Sequence, residues 1–289
     1  MALGDLVTAD WQLEYAGKAL GDGSPFLVAK IDGLLDLPAV TTADKGRLRR
    51  HGLIPGDDFT GGRSVVITFE VFGDTVAEFT DAVADLAALT TPGKDEQALV
   101  FKIPGVAGGG HRLIYCRPRK RSLPIGREYY YRLPLAQVEF VATDPRIYSL
   151  FEYNETTTLP SAGGGVTFPL TFPLTFGSVS TGGVIWPWND GTFDTPPKFT
   201  ITGPVVNPKI MNVTLDKWIQ CEISLAAGDT LTIDTEKRTI MLNGTASRYH
   251  TLTADSKWWE LVPGSNEVHY SASTQTSSTL TVLWRAAWI

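Results

Sequence analysis

Hydrophobic and polar positions alternate along much of the chain, at the two-residue period of a strand with one buried face. The clearest case is residues 64–72, where Val65, Ile67, Phe69 and Val71 share one face and Thr68 and Glu70 the other. Trp11, Leu13 and Tyr15 alternate in the same way, and residues 26–31, 97–103, 111–116 and 135–142 complete the strands predicted for the first half. Gly105 and Gly108-Gly109-Gly110 mark a hairpin tip, since glycine tolerates the positive φ of tight turns. One stretch departs from this period. Val76, Phe79, Val83, Leu86 and Leu89 recur at spacings of three and four, the stripe of an amphipathic helix. Thr75 and Glu78 have capping-box spacing, and Pro92-Gly93 stops the helix. It is predicted to cover one face of the first sheet.

The character changes after Asp144-Pro145-Arg146-Ile147-Tyr148. Residues 154–183 carry few charges and many Thr, Gly, Pro and Ser, with the repeat Phe168-Pro169-Leu170-Thr171 and Phe172-Pro173-Leu174-Thr175. Recurrent proline excludes a helix and a central strand, so an extended linker or edge segment is predicted. Short strands resume at 198–202, 221–225, 230–234, 239–242, 267–271 and 279–284, with Asn243-Gly244 as a hairpin turn. The chain is therefore expected to be mainly β, with two β-sandwich domains. Residues 1–150 form the first, with one α-helix; 151–183 are a linker or extended segment; 184–289 form a second sandwich of jelly-roll type.

Composition supports this picture. The 28 glycines and 18 prolines are about a sixth of the chain, against roughly an eighth on average. A net charge of −6 is not the basic footprint of a dedicated nucleic-acid binder. Cys116 and Cys221 are too far apart in sequence for a zinc pattern or a disulfide framework. Met-Ala-Leu-Gly-Asp-Leu is no secretory leader, and no apolar run approaches the ~20 residues of a membrane helix. Synthesis in a cytoplasm with no membrane contact is expected.

Catalytic patterns are missing from the sequence. His51, His111, His250 and His269 are scattered, whereas metal sites need clustered ligands. Asp190 and Asp194 are the one carboxylate pair worth testing for glycoside chemistry, and turn-forming roles explain them equally well. No catalytic residue, cofactor or metal is expected. Two features remain as candidate binding elements. Residues 111–132 hold seven cations, Arg112, Arg117, Arg119, Lys120, Arg121, Arg127 and Arg132, against the single acid Glu128. Within them, Arg117, Arg119, Lys120 and Arg121 read as a basic loop for electrostatic contact, or else as a solvated turn. Tyr129, Tyr130 and Tyr131 read as part of a strand. Trp186, Trp188, Trp258 and Trp259 either pack in cores and interfaces or stack on sugar rings.

The order of signals resembles the distal tail protein family of long non-contractile-tailed bacteriophages over nearly the whole chain. In the first half the likeness lies in Leu37-Pro38-Ala39-Val40, His51-Gly52-Leu53, Gly62-Arg63-Ser64-Val65-Val66 and Ala142 to Tyr148. In the second it lies in Asn189, Gly191, Pro197 to Gly203, Asn207-Pro208, Gly228 to Thr235, Asn243-Gly244 and Leu261 to Asn266. The resemblance implies a ring-forming first domain at the end of the tail tube and a galectin-like second domain. It implies a structural virion protein at the distal tail tip, forming a homo-hexameric ring. That ring would join the tail tube protein to hub and receptor-binding proteins. Alternatives are a carbohydrate-binding module for the host cell wall and a wall-degrading enzyme. The ring contacts are expected in residues 1–150, through strand 64–72 or the strand ending at Ala142 if either lies at a sheet edge.

Overall fold

The computed structural model describes residues 2–160, 182–274 and 276–289. Contacts divide the chain into two units, Met1–Leu150 with Trp288–Ile289, and Phe151–Ala287. Both are β-rich sandwiches.

The strand order in the first unit is Lys18–Gly21, Gln12–Tyr15, Gln97–Lys102, Arg112–Ser122, Leu135–Ala142, Arg63–Val71 and Phe26–Asp32. Every neighbouring pair is antiparallel. The eleven-residue strand Arg112–Ser122 serves two sheets. Its residues 112–116 pair with Gln97–Lys102, and its remainder pairs with Leu135–Ala142. The register shifts between Pro118 and Lys120. A proline has no amide to give the ladder, and a bulge is where a strand tolerates one. The alternation read at 64–72 is realised, since Val65, Ile67, Phe69 and Val71 are all buried. The two strands expected as ring edges are interior instead. Arg63–Val71 is flanked by Leu135–Ala142 and Phe26–Asp32, and Leu135–Ala142 is itself paired on both sides. Their apolar alternation reflects burial, which is greatest in the middle of a sheet.

The helix forms at Val76–Leu89 with the expected capping box. The Thr75 hydroxyl accepts from the Glu78 amide, and the Glu78 carboxylate accepts from the Thr75 amide. Phe79, Ala82 and Leu86 are buried, whereas Val76 faces solvent. A second, single-turn helix, Arg127–Tyr130, takes Tyr129 and Tyr130 out of the expected strand.

Residues 40–60 leave this body as a two-stranded arm. Val40–Thr42 pairs with Asp58–Thr60, and Lys45–Gly46 with Leu53–Ile54. The arm has no core of its own, and every residue from 40 to 59 is exposed. Its root is fixed by Arg63, whose guanidinium is buried. Arg63 Nη1 donates to the carbonyls of Gly33, Leu34 and Asp36 at 2.8–2.9 Å, and Nε donates to the Pro145 carbonyl at 2.9 Å.

The second unit has a six-stranded sheet ordered Tyr153–Thr158, Thr279–Trp284, Lys198–Thr202, Thr230–Asp234, Thr239–Leu242 and Ala246–Ser247. A four-stranded sheet holds Val184–Ile185, Val268–Ser271, Lys209–Asn212 and Lys217–Gln220. Phe199, Ile201, Ile210, Ile219, Leu231, Val268, Leu280 and Val282 from both sheets share one core. Tyr153–Thr158, within the segment read as linker, is an edge strand here. The phenylalanine–proline repeat at 168–176 lies outside the described residues. Of the strand expected at 221–225, only Ser224–Leu225 forms, with Cys221 in an isolated bridge to Leu252.

Candidate functional site

The residues first considered for chemistry are dispersed. His51 sits on the arm, His111 Nε2 lies 2.9 Å from the Val7 carbonyl, and His269 Nε2 lies 2.7 Å from a Glu267 carboxylate oxygen. Among the described residues, no three His, Cys, Asp or Glu are placed to hold a metal. Asp190 and Asp194 are both exposed. The turn between them is organised by buried Asn189, whose amide donates to the Phe193 and Leu261 carbonyls and whose oxygen accepts from Gly191. Both cysteines are buried, and burial raises each thiol, Cys221 to about 11. Neither is available as a thiolate nucleophile.

The basic segment is not a loop. Arg117, Arg119, Lys120 and Arg121 all lie in the second half of strand Arg112–Ser122, because Leu113, Cys116 and Pro118 carry the buried positions past the point where the charges begin. Their roles diverge. Arg121 Nη1 donates to the Thr90 hydroxyl at 2.7 Å. Thr90 is the C-cap of the long helix, so Arg121 brings a cation to the negative end of the helix dipole. Arg117 Nη1 donates to the Lys94 carbonyl at 3.0 Å. Arg119 and Lys120 point to solvent, with Lys120 in register with Glu139. Two of the four are thus spent on the first unit itself. Arg112 is also structural, with its guanidinium 4.1 Å over the Trp288 ring and Nε donating to Ala107.

The tryptophans divide in the same way. Trp259 is buried against Phe199, with ring centroids 5.1 Å apart. Trp258 is half-buried and stacks on Tyr249. Trp186 and Trp188 remain more than half exposed. Both alternate with the buried Ile185, Pro187 and Asn189, so each ring faces away from the core. Glu155 accepts from the Trp186 amide, and Ser265 is in register with Trp188. Two outward indoles two positions apart, bordered by a carboxylate and a hydroxyl, can stack on an apolar ring face while accepting hydrogen bonds from its rim.

The surface that sequence reading missed is the arm. It exposes Leu48, Leu53, Ile54 and Phe59, together with Lys45, Arg47, Arg49 and Arg50 at its tip. The available signal was the Pro38 and Pro55-Gly56 punctuation around a stretch with no strand alternation. At the end of the strand pair Phe26–Asp32 and Arg63–Val71 away from the arm root, the long helix borders an open recess of about 490 Å³. Its lining includes the apolar Pro25, Phe72 and Ala82 and four carboxylates, Asp74, Glu78, Asp81 and Asp85.

Residues 190–288 match the family model for the siphovirus-type tail component, C-terminal domain. The chain is similar in structure to the Dit protein of phage SPP1, described as a paradigm of the hub of the adsorption apparatus in phages that infect Gram-positive bacteria. The TM-score is 0.66 at 15% identity, over 96% of this chain and 99% of that one. Chains of the phage p2 baseplate in its activated conformation, with calcium and with strontium, align at TM-scores of 0.48 and 0.49 and 9% identity. They cover 94% of this chain in both cases, and 97% and 96% of theirs. No curated protein sequence matches the chain. The family match bears out the resemblance to siphovirus tail components over residues 190–288, and the SPP1 Dit fold bears out the mainly β, two-sandwich architecture.

Proposed function

We propose that this chain is a structural, non-enzymatic protein of the distal tail of a long non-contractile-tailed phage, where it forms a closed ring between the tail tube and the tip or baseplate. The family match over residues 190–288 and the SPP1 Dit fold over nearly the whole chain support the tail-hub reading. The observation that carries assembly is the arm. An isolated two-stranded ribbon is marginal in water, and this one exposes Leu48 at 93% and Phe59 at 66%. Such a feature is stable and soluble when a partner covers it. A contact between two different patches of the same chain closes into a ring when the rotation allows. The number six and the galectin-like character of the second unit come from the resemblance. The proposed partners are further copies, the tail tube protein, and hub and receptor-binding proteins, with the chain located in the virion. Electron microscopy of the purified protein tests this reading: rings of uniform diameter support it, and a uniformly monomeric field at high concentration counts against it.

A second reading is favoured by one observation, the exposed pair Trp186 and Trp188. It assigns the second unit a host-wall carbohydrate as ligand. Titration with wall polysaccharide should quench tryptophan fluorescence in the native chain and not in Trp186→Ala/Trp188→Ala. Identical titrations for the two proteins would remove it.

A further inference from the structure

We infer that the arm tip of one copy docks in the acidic recess beside the long helix of the next, so that residues 45–50 and the recess are the two halves of one ring contact. This rests on the ring reading above and names its interface.

The tip reads Lys45-Gly46-Arg47-Leu48-Arg49-Arg50. It presents four cations and no acid in a chain of net charge −6. Leu48 stands between the arginines with 93% of its surface in water. A lone exposed leucine needs no explanation, but a leucine at the end of a rooted arm, ringed by cations, has the form of a knob. Arg47 is partly used within the arm, donating from Nε to the Leu53 carbonyl at 3.1 Å, which holds the tip in shape. Lys45, Arg49 and Arg50 are exposed.

The recess is the complement in both charge and polarity. Its lining combines apolar Pro25, Phe72 and Ala82 with four carboxylates. Asp85 is paired with Lys18 at 2.8 Å, and Glu78 accepts the amides of Asp74 and Thr75. Asp74 and Asp81 are exposed and open to a new cation. An apolar knob with flanking cations complements a recess lined by apolar side chains and carboxylates, since burial supplies the attraction and the charges fix register and exclude wrong partners. The arm root is held by Arg63 to Gly33, Leu34 and Asp36. Knob and recess are therefore separate patches on one unit, as a head-to-tail ring requires.

The test uses the full chain and measures mass in solution across a concentration series. Lys45→Glu/Arg49→Glu/Arg50→Glu places acid against acid, and Asp74→Lys/Asp81→Lys places base against base. Each is expected to weaken assembly at least tenfold while thermal unfolding stays near that of the parent, because all five side chains are exposed. Combining both sets in one chain restores opposite charges and should restore assembly. Leu48→Ala should weaken assembly without changing its salt dependence. If the arm variant assembles like the parent, this contact is wrong and the ring reading stands on another interface. If the combined variant stays dissociated, the pairing of tip with recess is overturned. A parent chain that is monomeric at every concentration would remove the contact and the solution ring together. Retention of the parent on immobilised DNA, lost in the arm variant with assembly unchanged, would assign the tip to nucleic acid instead.

Discussion

Individual residues in this protein hold loops that the hydrophobic pattern does not. In the second unit, buried Asn266 donates to the Val262 and Gly264 carbonyls and accepts from the Val262 amide, closing one loop on itself. Gly191 is needed for a different reason: a Cβ there would sit 1.8 Å from the Ala287 carbonyl oxygen. We expect Gly191→Ala to lower the unfolding midpoint of the second unit by several degrees, seen by calorimetry. In the first unit, Arg63→Ala removes the donor for four carbonyls, those of Gly33, Leu34, Asp36 and Pro145. A loss on the order of 3 kcal/mol is expected from unpaired buried polar groups, read by chemical denaturation. Burial also raises the Tyr15 hydroxyl from its ordinary 10.0 to about 12. The unfolded chain therefore gives up this proton first as pH rises. The stabilising contribution is fully present below pH 10 and is lost between about 10 and 12. Tyr15→Phe should flatten the fall in unfolding midpoint over that window, and an unchanged alkaline profile would remove Tyr15 as its cause.

Elements show where local pattern suffices. The helix Val76–Leu89 carries its start in sequence, and Thr75→Ala should cost about 1 kcal/mol by removing the cap acceptor, measured by urea unfolding. Its other end depends on Arg121, 31 residues from Thr90, a distance no periodicity reports. That is why Arg117, Arg119, Lys120 and Arg121 look like a loop in sequence. Charges conceal a strand when its outward face is the charged one and proline occupies a bulge. Strands 198–202, 230–234, 239–242 and 279–284 are readable because alternation and turn residues agree there. Tyr153–Thr158 is not, because five Thr, Glu and Asn positions on an edge strand leave little apolar signal. The arm is invisible for the same physical reason: its apolar residues do not face a core of their own chain. Of the candidate surfaces, Trp186 and Trp188 are legible as residue types, but their exposure shows only beside the buried Ile185, Pro187 and Asn189.

At the scale of the molecule, the edge strand Tyr153–Thr158 changes what proteolysis would report. Its six residues are in register with Thr279–Trp284, so a cut in the proline-rich stretch that follows would leave that strand attached in sequence to residues 1–150 and paired with the other fragment. We expect the nicked protein to elute as one species and to separate only in denaturant. Two fragments that part in native buffer would show that this strand contributes little to the second sheet.

The register of Gln12–Tyr15 against Gln97–Lys102 has a consequence for synthesis. Tyr15 emerges from the ribosome long before Leu99, its partner across the ladder. At about 5–20 residues per second the delay is on the order of five to fifteen seconds. During that interval Gln12–Tyr15 has only the neighbouring strand Lys18–Gly21 to pair with, and the arm emerges before the strand on its other side is made. A nascent chain of this kind exposes apolar surface and an unpaired strand edge that a holdase chaperone can cover until the sheet closes.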